Sequence, residues 1–135
     1  MSKTSELKKH VGTVDISNPL SLIQRKAFSV LVHNAYHDLK EADGKIREIP
    51  LKALCELLGF NSKNFEHLDA EIEKLQTTLI KWRNHPDEFH RVSFFAYTSI
   101  DGGVFRYRFA PELEAKIYNP EIYARINILT VSQFD

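Results

Sequence analysis

The chain has 135 residues, of which 43% are apolar and 11% aromatic, enough to build one domain around its own core. Its 18 basic and 18 acidic residues cancel, which excludes a domain-wide cationic field for nucleic acid or an anionic membrane, so any such contact must be a local patch. The 27% charged content carries no imbalance of the kind that keeps chains disordered, the single Cys55 excludes an internal disulfide and suits a reducing cytosol, and no apolar run nears the ~20 residues that cross a bilayer.

Residues 1–16 read as an amino-terminal arm carrying Lys8 and Lys9, with a short strand at 11–16 where Val14 and Ile16 alternate with polar neighbours. No signal-peptide core is present in residues 1–10, and the expected setting is the bacterial cytoplasm. The domain proper is expected over 17–135. Ser17-Asn18-Pro19 is a start signal for a helix over about 20–39, whose wide apolar stripe (Ile23, Ala27, Phe28, Leu31, Val32, Ala35, Leu39) implies a buried central element. Asp43-Gly44 is a turn, and 46–50 is short enough to be an edge strand.

A second helix spans 51–58, with Leu51, Leu54, Cys55 and Leu58 inward and Gly59 as its cap. Phe65, Leu68, Ile72, Leu75 and Leu79 then recur at spacings of three and four, giving a third helix over about 62–81 after a short turn at 59–61. That is the spacing of a helix-turn-helix. Residues 77–83 turn β-like, and His85-Pro86-Asp87 breaks the pattern. Aromatic-rich alternating segments at 92–100 and 104–109, joined by Asp101-Gly102-Gly103, predict a β-hairpin. Pro111 opens a short helix to about 118, and 126–131 is again extended. The fold class is therefore α+β, a winged helix in which the hairpin is the wing.

The strongest resemblance is to the first half of the iteron-binding plasmid replication initiators, the Rep proteins built from two winged helices. It is carried by Leu20-Ser21-Leu22-Ile23-Gln24-Arg25-Lys26-Ala27, by Ile49-Pro50-Leu51-Lys52-Ala53-Leu54-Cys55-Glu56-Leu57-Leu58-Gly59-Phe60 and by the helix running into Leu75-Gln76-Thr77-Thr78-Leu79-Ile80. Phe109-Ala110-Pro111-Glu112-Leu113 and Tyr123-Ala124-Arg125-Ile126-Asn127 look like that family's passage toward its second winged helix. The resemblance implies that the chain stops before that second winged helix. It also implies a division of labour: the second domain reads the origin repeat, while the first carries dimerisation and supporting contacts to double-stranded DNA. Dimers would repress the initiator's own promoter, monomers would act at the origin, and host replication proteins would be further partners.

Several residues bear on this independently. The third helix shows Glu66, Asp69, Glu71 and Glu73 against Lys63, Lys74 and Lys81, a density of carboxylates that repels phosphates and disfavours base reading; a merely solvated face accounts for it equally well. Strand alternation sends Arg106 and Arg108 to one face of the wing, opposite Phe105, Tyr107 and Phe109. These two arginines are the expected phosphate contacts, extended by Arg91, Lys8 and Lys9. The hairpin carries more aromatic surface than one sheet face needs, which nominates Phe95, Tyr97, Phe105 and Tyr107 for a dimer interface, unless all of them pack on the first helix.

Enzyme chemistry is not expected. His33 and His37 lie four apart but lack a third ligand, no glycine-rich phosphate loop or nucleophile elbow is present, and no cofactor or metal is implied. Two other readings stay open: a winged-helix transcriptional repressor that binds operator DNA through the helix after the turn, and a protein-interaction winged helix without DNA contact.

Overall fold

Six strands and four helices form the region covered by the computed structural model, which describes residues 13–61, 63, 65–119, 121 and 124. The first helix among the described residues, α1 (Leu22–Ala35), begins where capping is most complete. The Ser21 Oγ accepts from the Gln24 amide at 3.1 Å, and the Gln24 side chain accepts from the Ser21 amide at 3.0 Å. This reciprocal box satisfies two otherwise orphaned N–H groups, so the start expected at Ser17-Asn18-Pro19 is corrected to Ser21. Ser17 serves a sheet instead, its Oγ accepting from the Leu79 amide at 2.9 Å. α1 also ends earlier than expected, and Tyr36–Glu41 tighten into a 3-10 turn that keeps Leu39 buried.

Strand β2 (Arg47–Pro50) leads into α2 (Leu51–Leu58), which buries Leu51, Leu54, Cys55 and Leu58 as expected. Gly59 follows at φ +84°, the left-handed cap that a side chain would strain. The next helix, α3 (Glu66–Gln76), is shorter than the 62–81 span its periodicity predicts. Leu68, Ile72 and Leu75 are buried on it, but Leu79 belongs to β3 (Leu79–Arg83). The break has a local cause: the Thr77 and Thr78 hydroxyls both donate to the Lys74 carbonyl at 2.9 Å, turning the chain off the helix. The β-prone Leu79-Ile80-Lys81-Trp82 follows.

The strands form two antiparallel three-stranded sheets. In one, β1 (Thr13–Ile16), β3 and β4 (His90–Ser93) lie in that order; in the other, β2, β6 (Val104–Arg108) and β5 (Tyr97–Asp101). The single strand expected at 92–100 is therefore two strands in different sheets. Phe94 and Phe95 are both buried, which two neighbours on one strand cannot be while one face stays solvated. The chain turns there, with the Phe94 amide donating to Thr78 O at 3.2 Å and the Ala96 amide to Arg108 O at 2.9 Å. Gly102 and Gly103 then close the β5–β6 hairpin at φ +61° and +76°, a tight turn that matches strand twist.

Helix, strand, two helices and a hairpin whose second strand pairs with the early strand constitute a winged helix. Its core centres on aromatic contacts: Phe28 meets Phe94 edge-on at 4.8 Å, and Phe95 stacks on Phe109 at 5.4 Å. The fourth of these helices, α4 (Pro111–Tyr118), begins at Pro111 as expected and is joined to β2 by a buried ion pair, Arg47 Nη1 to Glu114 Oε2 at 2.8 Å. Lys8, Lys9 and the extended segment expected at 126–131 lie outside the described residues.

Candidate nucleic-acid interface

In a winged helix the element poised over a DNA groove is the helix after the turn, here α3. It exposes Glu66, Asp69 and Glu73, so three carboxylates would face phosphate oxygens. Glu71 does not join them. It is only 14% exposed and accepts from Ser21 Oγ at 3.0 Å and Gln24 Nε2 at 2.9 Å, with His67 Nε2 at 3.4 Å. Its place among the exposed acids is corrected: it is a tether from α3 to the start of α1.

The wing sheet places Phe105, Tyr107 and Phe109 inward, each wholly buried, and leaves Arg106 and Arg108 on the outer face. Their positions differ. Arg106 lies across from Glu48 on β2, and its Nε reaches Glu48 Oε2 at 2.9 Å. Arg108 lies across from Tyr97 on β5, is exposed, and has no ion pair among the described residues. A guanidinium held by one carboxylate can still meet a phosphate but presents less net charge than a free one. Of the two, Arg108 therefore carries the less neutralised charge.

Arg91 does not extend that pair along its sheet. It lies on β4 in the other sheet, across from Lys81, which in turn lies across from Asp15. Lys81 and Arg83 stand two residues apart on β3 and share that outer face, while Ile80, Trp82 and Val92 alternate to the other. Inward, Trp82 stacks on His90 at 5.3 Å and lies under Lys116 of α4 at 5.4 Å. Sequence reasoning missed this row because it assigned Lys81 to the end of a helix. The β-like run through Trp82 was the signal that could have found it.

The aromatic residues nominated for a dimer interface are mostly core. Phe95, Phe105 and Tyr107 are at most 1% exposed and belong to the hydrophobic core, where Phe95 and Phe105 both contact the Tyr107 ring, so this fold does not present them to a second copy. Tyr97 alone is open, at 41%. The Tyr107 hydroxyl is fixed inside, donating to Leu31 O at 2.8 Å and accepting from Asn34 Nδ2 at 2.8 Å. Burial pushes its phenol above the usual tyrosine value, against a smaller opposing effect of the Asn34 hydrogen bond.

Burial likewise raises the Cys55 thiol, so a reactive thiolate is disfavoured there. At the β3–β4 turn, Glu88 contacts His90 and lies 3.3 Å from His85 Nε2; the His90 hydrogen bond holds its carboxyl below the ordinary range. Among the described residues no group of three metal-ligating side chains comes together, and no helix is long and apolar enough to cross a membrane.

A family model described as Initiator Replication protein, WH1, matches residues 6–135. No curated protein and no solved structure matches the chain.

Proposed function

Because the chain belongs to the initiator replication protein family as its WH1 domain, we propose that it is the amino-terminal module of a plasmid initiator, which supports origin binding by gripping the backbone of double-stranded DNA and takes part in dimerisation and copy-number control. The observation that carries the DNA contact is the outer face of the wing, where β6 aligns Arg106 with Arg108, which has no ion pair among the described residues, while Phe105 and Tyr107 are buried on the opposite face. Phosphate contacts need charge and reach, and they orient a protein on DNA without reading sequence. The acidic surface of α3 fits the same division, leaving base reading to a second winged helix of the whole initiator. It speaks against a repressor that reads its operator through α3, because Glu66, Asp69 and Glu73 would meet phosphates at the groove edge.

The reading is of a binding module without catalysis, acting in the cytoplasm beside host replication proteins. For self-association, Tyr97 is the one nominated residue that the fold leaves on the surface. The DNA claim is tested by the salt dependence of duplex binding. Each lost phosphate contact removes about 0.9 from the log–log slope, so Arg106→Ala with Arg108→Ala should flatten it by about 2. A slope and affinity equal to those of the unaltered chain would contradict the assignment.

A further inference from the structure

We propose that the outer face of the β1-β3-β4 sheet is a second nucleic-acid site, built for an unpaired strand. It shares with the reading above only the class of ligand. Register and alternation gather Lys81, Arg83 and Arg91 on this face, all exposed and none in an ion pair among the described residues. The face's acid, Asp15, directs Oδ1 to the Ile16 amide of its own strand at 2.8 Å. Beside the cations stands Phe89, 65% exposed, with the Arg83 guanidinium 5.3 Å from its ring centre. Together they border an open cleft of about 410 Å³.

Two features select the ligand. Cations two residues apart on a strand lie about 7 Å from each other, and a third across the ladder makes a track for a chain of phosphates rather than a pocket for one anion. A large exposed ring beside such a track offers a π-face on which a base can stack. Duplex DNA keeps its bases stacked inside and would leave Phe89 unused, whereas a single strand engages ring and cations together.

The test is fluorescence anisotropy of the full chain with a labelled oligothymidine of about 15 nucleotides, within the length one such site covers. Lys81→Ala, Arg83→Ala and Arg91→Ala combined should flatten the salt slope by about 2, at about 0.7 per phosphate on a single strand. Phe89→Ala should weaken binding about tenfold with the slope unchanged, and Phe89→Trp should restore it. The proposal is overturned if the unaltered chain does not bind oligothymidine, or if the triple variant and Phe89→Ala bind it as the unaltered chain does. Oligothymidine binding that depends on these residues, in a chain that binds no duplex, would sink the wing assignment and sustain this one.

Discussion

Tyr107 shows how one side chain ties the wing to the helical core. Its ring is buried on β6, yet its hydroxyl reaches both Leu31 and Asn34 of α1. Because its pKa is raised in the folded chain, the proton is held more tightly there than in the unfolded chain. The stability this contributes is fully present below the unfolded value, about pH 10, and is lost as pH rises through the higher folded value. Denaturant midpoints measured across that window should fall, and Tyr107→Phe should remove the fall due to this residue while costing about 1–2 kcal/mol at neutral pH. Equal alkaline losses in both proteins would show that another group is responsible. The Arg47–Glu114 pair is a second such tie, with side chains 6% and 0% exposed. Glu114 also accepts from the Gly44 amide at 3.0 Å, and Arg47 donates to Lys45 O at 2.7 Å. Removing one partner strands a buried charge, so Glu114→Ala should cost about 3–5 kcal/mol. Arg47→Met combined with Glu114→Leu should recover most of that loss in thermal or denaturant unfolding.

At the scale of elements, the join between α1 and α3 rests on Ser21, Gln24 and Glu71 as one polar unit. Ser21→Ala removes both a cap and a Glu71 contact and should destabilise by about 1–2 kcal/mol. In a Glu71→Ala background the same change should cost less, because the two lose a shared interaction; full additivity would show that the contacts are independent. Helix and strand order was legible wherever period and turn chemistry agreed: α2 with Gly59, the Gly102-Gly103 hairpin and the Pro111 start of α4. The errors arose where period alone was followed. Leu79 continues the spacing of Leu68, Ile72 and Leu75 but is claimed by a strand, since Thr77 and Thr78 bond back to the helix end. Phe94 and Phe95 read as part of one alternating strand, but they lie at a crossing between two sheets. Of the candidate site, the shared face of Arg106 and Arg108 was legible from alternation. The Glu48 partner, the Lys81–Arg91 row and the burial of Glu71 depend on strand register and tertiary contacts that spacing cannot supply.

For the molecule as a whole, a formal charge of zero conceals an uneven arrangement: carboxylates on the helix that a sequence-reading domain would press into DNA, and, on the outer faces of both sheets, cations of which only Arg106 has an ion pair among the described residues. Such a surface suits an accessory grip on the backbone, and membership of the initiator family gives that grip a biological setting. The claim that the wing, and not α3, meets duplex DNA is tested most directly by titrating the isotope-labelled chain with duplex and following resonances residue by residue. The account predicts that the Arg108 and Arg106 Nε–H signals and the amides of the Asp101–Val104 turn shift with added duplex, while the amides of Glu66–Gln76 stay in place. Movement of the Glu66–Gln76 amides with the wing signals unchanged would contradict it.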